Sequence, residues 1–549
     1  MPECKLWHFF VYHLFIKRTR ASFYINIACR VRSYIGELGV TSISSKIPAS
    51  ISNLKKPTMW NKLNKSMMVC QMLFGLSFYG VLVSLTRFFL EDLNYSEADT
   101  MMVVGAFAAI GPLFAIAGGF IADKLLGAYR SLTISYAAFT LGYLLLVLGA
   151  TTLHVPMAMA GIALASYGRG LMSPSYPSLY KRTFATQKEF EHGFPINYSV
   201  NNIGAFLGQY LFPMITLYIG FSGGFALSAL MAVVALFVLI TLNKKFKPLG
   251  KPIDTEHVSL RAWGIFFALS AAMIALVFFM FSNMDVGQNI VYAIGVAAIG
   301  YFVFLIFKVT RSERLKMGTI LIMSFLTTCF FVYYGQMMTS MNIVAMNTLK
   351  GELFGFIPLE PEAAMAMNPL WCMVGGPIIA TLFSRLEKNN IHLSTSTKIA
   401  AAFVFTAIAF GILTYFISTV GEDVAIRPEV FLAVHFFQAM AEVVVGSMVV
   451  AFILSVAPHH IENFSVSLFS VAIALSGIVG AALSTNIALE KGQQLTQHIA
   501  QTVYGEYFQL LTVMAVVMIG VALVASKVIH NMLKAAVEAE LGAGELVKQ

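Results

Sequence analysis

Charge is what this chain has least of. Acidic and basic residues make up 11% of its 549 positions, against about a quarter in a soluble globular protein, which excludes an ordinary water-facing surface. Cysteine is also scarce. The five residues at 4, 29, 70, 329 and 372 form no CxxC pair and keep no regular spacing, which excludes a disulfide framework or a cysteine-built metal centre. There is no GxxxxGK[ST] loop for ATP, and no Ser, His and Asp set arranged around a nucleophile turn. An enzyme is therefore not expected, and no cofactor or metal is implied. The net charge of +9 does not form one basic patch; Lys and Arg recur in short clusters between apolar runs, so nucleic acid is not an expected partner.

Apolar residues fill the chain instead: 58% are hydrophobic, with 46 Phe and 29 Met. Runs of about 20 residues, enough to cross about 30 Å of hydrocarbon, fall near 67–90, 100–121, 131–150, 155–178, 194–218, 221–242, 259–281, 289–308, 317–342, 366–387, 397–419, 429–455, 463–487 and 506–530. These fourteen spans predict an all-α integral membrane protein. Alternate loops carry Lys124 with Arg130, Lys181 with Arg182, the basic stretches 243–251 and 308–316, Arg385 with Lys388 and Lys398, and the tail after Lys527. The opposite loops (91–99, 283–289, 351–362, 421–429) are poor in Lys and Arg and often acidic. The positive-inside rule then puts both termini in the cytoplasm. Residues 1–58 mix Arg with aromatics without a cleavage site or clean periodicity. They read as a poorly structured extension, with a peripheral amphipathic helix and a native start at Met59 as alternatives. The expected organisation is a six-helix bundle over 59–242, a linker with two further spans over 243–316, a second six-helix bundle over 317–530, and a cytoplasmic tail over 531–549.

The loop after the second span, GGFIADKLLGAYR (118–130), combines Gly119, Asp123, Lys124 and Arg130: a glycine for close helix approach and charges for a relay at the helix ends. It resembles the gating loop of the major facilitator superfamily, and ADKLLGAYR within it resembles the proton-dependent oligopeptide transporter family. Four further stretches agree in order: NYSVNNIGAF (197–206) with Tyr198 and Asn202, YYGQMMTS (333–340) with Gln336 and Ser340, FIPLEPEAAMAMNPLW (356–371), and FFQAMAEVVVGSM (436–448) with Gln438 and Glu442. The resemblance implies two six-helix halves related by pseudosymmetry plus a two-helix insertion. It also implies a site at the midplane between the halves, reached by rocking.

The departures are as specific as the matches. Where the family's first helix carries ExxERFxYYG, this chain reads QMLFGLSFYG (71–80), so that Gln71, Phe74 and Gly75 replace two glutamates and an arginine, while Tyr79 and Gly80 remain. In the fourth helix GTGxxKPN becomes GRGLMSPS (168–175), with Ser173 in place of the lysine. A lone charge in a membrane is costly, so the loss of the whole set together is coherent. Arg169, one turn from Ser173 on the same helical face, suggests that the cation has moved; a guanidinium offers a rigid fork for a carboxylate or phosphate. A structural ion pair with Glu442 is the alternative.

Glu442 stands on one face with Gln438 and His435, a polar stripe that suits a cavity wall. It is the expected proton carrier, with His435 assisting. Tyr79, Arg169, Ser173, Tyr198, Asn202, Tyr333, Gln336, Ser340 and Trp371 are the expected substrate contacts. For these polar residues, simple joining of helices is the competing role. The expected partners are a small peptide or peptide-like solute, protons and the bilayer, and the expected unit is a monomer in a prokaryotic cytoplasmic membrane. By resemblance the function is secondary, proton-coupled transport of such solutes. An uncoupled facilitator or exporter of an anionic small molecule is one alternative, and a non-transporting sensor built on the same fold is another.

Overall fold

The computed structural model describes residues 61–246, 249, 252–391, 393–458 and 462–546. The extension over 1–58 lies outside them.

Twelve runs among the described residues are long and apolar enough to span a bilayer. One, Ile196–Thr241, would be about 69 Å long if straight, more than twice the hydrocarbon thickness. It is instead folded back at Gly220, whose φ of 70° is left-handed and favours glycine. Residues 187–219 run parallel to the first helix, with Phe212 against Gly80. Residues 221–241 return along it, Phe225 meeting Phe88 edge-on and the carbonyl of Ala235 accepting from Cys70. Val155–Lys181 is as long as the others but carries Arg169 and several serines; with it the crossings number fourteen, as the apolar runs predict.

In chain order they are α1 (Lys62–Arg87), α2 (Glu97–Leu125), α3 (Ala128–Thr152), α4 (Val155–Lys181), α5 (187–219), α6 (221–241), α7 (Leu260–Ser282), α8 (Met284–Ile306), α9 (Arg311–Thr348), α10 (Pro361–Lys388), α11 (Thr395–Ser418), α12 (Pro428–Val456), α13 (Glu462–Ser484) and α14 (Glu506–Leu546). Local sequence sets several starts. Asn61, Ser96 and Ser259 each accept the N–H three residues on, and Thr310 with Glu313 forms a capping box. The tail expected after residue 530 begins as a continuation of α14, whose Glu540 accepts from Lys316 Nζ at 2.6 Å and from Ser312 Oγ at 2.9 Å.

Helices α1–α6 and α9–α14 form the two halves. Small residues let them pack closely, as helix pairs in lipid require. A Cβ built on Gly204 of α5 would lie 2.2 Å from the carbonyl of Met72, and one on Gly208 2.4 Å from that of Leu76, so α1 and α5 are in backbone contact. Across the halves, α2 and α13 meet as tightly: a Cβ on Gly477 would come within 2.2 Å of Ala109 Cβ. The insertion leans on both halves. Tyr167 of α4 and Ser270 of α7 share a 2.6 Å hydrogen bond, while Gly295 of α8 lies against Leu475 of α13.

Candidate functional site

The end of the bundle holding Lys62 and Arg182 is called the basic end, and that holding Glu97 and Glu362 the acidic end. Between the halves lies a small cavity, about 50 Å³, lined by Tyr79 of α1, a row from α5, Tyr334 and Met337 of α9, Asn368 and Pro369 of α10, and Glu442 of α12. The α5 row is Tyr198, Asn201, Asn202, Ala205 and Gln209, side chains that recur at helical spacing and so share a face. The volume suits a few waters. A peptide needs the lining helices to part.

Glu442 is the one carboxylate among the lining residues. Its Oε1 accepts from Tyr198 Oη at 3.4 Å and its Oε2 from Cys372 Sγ at 3.3 Å, with Asn368 and Tyr334 beside it. Among the described residues it has no ion-pair partner, and neither has Arg169. Arg169 instead lays its guanidinium over the Phe78 ring, 4.6 Å from the centroid, and donates Nη1 to the carbonyl of Ala108. A cation–π contact and a carbonyl relieve part of the cost of a charge at this depth. Tyr79 and Tyr334, both lining the cavity, are within electrostatic reach of Arg169 and of Glu442.

The remaining expected residues divide. Tyr79, Tyr198 and Asn202 line the cavity. Ser173 is exposed and turns its hydroxyl back to the carbonyl of Arg169 at 2.9 Å. Tyr333, Gln336 and Ser340 do not line it. Gln336 is fully buried: its Oε1 accepts from Ser340, Ser484 and Tyr507, and its Nε2 donates to the carbonyls of Val332 and Gly480. It knots α9, α13 and α14 together where α9 is interrupted by a 3-10 turn over Gln336–Met338. Tyr334 and Met337 reach the cavity, while Tyr333, one residue earlier on the unbroken part of the helix, packs on Phe403 and Phe410. Trp371 donates to the carbonyl of Leu432 at 3.0 Å and meets Phe436 edge-on, tying α10 to α12. His435 Nδ1 lies 3.0 Å from Gln438 Oε1, and Gln438 turns to Met341 of α9. The restarted half of α9 thus covers the stripe nearer the acidic end and leaves Glu442 alone in the gap.

At the loop after α2, the close approach belongs to Gly118, where a Cβ would sit 2.2 Å from the carbonyl of Gly170; one on Gly119 would meet nothing nearer than 3.9 Å. Arg130 donates to the carbonyls of Leu126, Ile253 and Glu256, pinning the linker whose Asp254 pairs with Arg182. Asp123 and Lys124 are exposed on the π turn Ile121–Leu125.

The first-helix positions 71, 74 and 75 serve packing. Gln71 Nε2 donates to Asn201 Oδ1 at 3.1 Å, and Phe74 stacks on Phe78 and meets Phe139. A Cβ on Gly75 would lie 2.5 Å from the carbonyl of Asn201. No arginine fits there, because α5 occupies the space.

The halves are fastened at the acidic end. Glu97 of α2 accepts from Leu489 N–H at 2.8 Å and from Asn347 Nδ2 at 3.1 Å, Arg87 pairs with Glu362, Asn342 donates to Thr86, and Tyr210 donates to the carbonyl of Pro358. Toward the basic end, by contrast, Ser173, Phe194, Tyr198 and Gly446 are exposed. Glu97→Ala removes two of the fastening bonds, each worth about 1 kcal/mol. It should raise labelling of a cysteine placed at Ala205, by an impermeant maleimide added on the acidic side, by about thirtyfold; unchanged labelling would show that the acidic end is held by other contacts.

Residues 129–503, more than half of the chain, match the POT family. The chain is similar to dipeptide and tripeptide permease B of Edwardsiella piscicida, 25% identical over 422 residues, covering 76% of this chain and 84% of that one. The same permease of Aliivibrio fischeri is 26% identical over 439 residues, covering 79% and 87%. In fold it is similar to a bacterial homologue of the human drug peptide transporters PepT1 and PepT2, with a TM-score of 0.75 at 23% identity, covering 85% of this chain and 98% of that one. It is equally similar to tetrameric PepTSo2, with a TM-score of 0.76 at 22% identity and coverage of 86% and 99%. The match over residues 129–503 and the shared fold agree, and the chain belongs to the POT family.

Proposed function

We propose that the protein carries short peptides across a prokaryotic cytoplasmic membrane by alternating access, with both termini in the cytoplasm and the acidic end outside. The state described above is then the one shut to the outside. Each chain has a complete cavity of its own, which supports the monomer as the unit of transport. One observation carries the reading: Glu442 stands in a cavity of hydroxyls, amides and a thiol, at the junction of the halves, without a basic partner among the described residues. A carboxylate so placed is stable when it holds a proton or faces a cation, so it can carry the coupling proton in one state and meet a peptide's ammonium in another. Arg169, which likewise has no acidic partner among the described residues, is the proposed pole for the peptide's carboxylate.

The test is uptake of a labelled dipeptide, beside a panel of small anionic solutes, into proteoliposomes with and without an inward proton gradient. Wild type should accumulate the dipeptide only with the gradient, and Arg169→Ala should weaken its apparent affinity about tenfold. The packing of Phe74 and Gly75 in place of charged residues favours a second reading, an uncoupled facilitator. Transport indifferent to the gradient would establish it, and binding without movement would favour a sensor.

A further inference from the structure

Gln209 is the site residue that neither the motifs nor the packing explains. It lines the cavity and is 1% exposed. Its Oε1 is fully buried without a hydrogen-bond donor, and no hydrogen bond from its side chain reaches another described residue. Its neighbours on the α5 row differ. Asn201 is held by Gln71, Asn202 donates to the carbonyl of Tyr198 at 3.1 Å, and Tyr198 donates to Glu442. A carboxamide inside a membrane protein whose only role is to join helices finds its partner on another helix. One left without a donor in a cavity wall costs free energy, and each such group calls for an explanation.

We infer that Gln209 is a specificity residue whose Oε1 accepts the N–H of a substrate peptide bond, and that it reads only substrates longer than a dipeptide. The inference rests on the peptide-transport reading. The length limit comes from helix geometry. Gln209 is eleven residues along α5 from Tyr198, about 16 Å at 1.5 Å per residue, and Tyr198 is the residue that touches Glu442. A dipeptide spans at most about 7 Å and a tripeptide about 11 Å. A peptide whose amine is held at Glu442 therefore brings its first peptide bond only to the level of Asn202. It needs a third residue before an N–H comes within reach of the Gln209 side chain. The acceptor character of the orphaned atom selects a donor, so an amide N–H satisfies it and an N-methylated amide does not. A site built to pair a polar group discriminates strongly against the analogue that leaves it unpaired.

The experiment measures competition against a labelled tripeptide in proteoliposomes by trialanine, dialanine, and trialanine N-methylated at its second peptide bond. In wild type the N-methyl compound should bind roughly tenfold more weakly than trialanine. Gln209→Leu should weaken trialanine by about the same factor, leave dialanine unchanged and erase the N-methyl difference. Gln209→Glu, which keeps the acceptor and the length, should restore the difference and guards against a variant that merely folds poorly. Discrimination that survives Gln209→Leu, or an equal loss for dialanine and trialanine, would overturn the inference alone and assign the orphaned atom to water or packing. Wild type that binds none of these peptides would overturn the transport reading and this inference with it.

Discussion

Glu442→Gln is expected to abolish uphill accumulation while leaving exchange of substrate between the two sides of the membrane intact. With one proton per solute, a gradient of one pH unit is worth 1.36 kcal/mol, or about tenfold accumulation. The variant should bring that ratio to about one. Glutamine keeps the length; its Oε1 can still accept from one of Tyr198 and Cys372, the two groups bonded to the carboxylate, and its NH2 can donate to the other, so the cavity should keep its shape. What it loses is the capacity to exchange a proton as the halves rock. Counterflow, in which labelled peptide enters against unlabelled peptide without a gradient, needs only rocking and should persist. Loss of both activities would mean that Glu442 is needed for binding itself. Retention of both would remove it from the coupling path and favour the uncoupled reading, since no other carboxylate is among the lining residues.

The second large effect concerns the α1–α5 seam. Gly204→Ala should strongly destabilise the protein, because its Cβ would stand 2.2 Å from the carbonyl of Met72, with the nitrogen of Leu76 at 2.9 Å. Backbone on the far side cannot swing away, so the two helices must separate. Overpacking a tight core costs about 1–3 kcal/mol and sometimes more. Gly376→Ala, where no atom lies within 4 Å of the new Cβ, should be neutral or gain up to about 1 kcal/mol from helix propensity. The melting temperature in detergent should fall for Gly204→Ala and hold or rise for Gly376→Ala. Gly75→Arg should be worse than Gly204→Ala, since the whole side chain would have to enter against the carbonyl of Asn201. An expressed, folded Gly75→Arg protein would show that the seam can open.

These two results bear on what was legible beforehand. Composition and loop charge were enough for fourteen crossings, because the cost of unsatisfied backbone in lipid leaves a 20-residue apolar segment little choice but a helix. Even the reversal at Gly220 falls in the gap between the predicted spans ending at 218 and starting at 221. Glu442, Tyr198 and Asn202 were legible as well, since they fall in motifs whose order along the chain is kept and their faces follow from an unbroken helix.

Gln336, Ser340, Tyr333, Trp371 and His435 are different. Their residue types and spacings fit a cavity wall, but which way they turn depends on contacts distant in sequence. Gln336 points into its own half because Ser484 and Tyr507, roughly 150 to 170 residues on, supply hydroxyls there. Tyr333 likewise turns to Phe403 and Phe410 of α11, so Tyr334 rather than Tyr333 reaches Glu442. In the same way, Gln209 looks like one more polar residue on α5 until its buried Oε1 is seen to have no donor among the described residues.

Helix number, length and order along the chain follow from local hydropathy and backbone hydrogen bonding, which each segment satisfies for itself. Which polar side chains face one another, which glycines carry a backbone contact and which buried atom is left for a ligand depend on pairs brought together across the whole chain. Hydrogen bonds and close approaches between helices are settled only when both partners are in place, and no periodicity within one helix encodes the other.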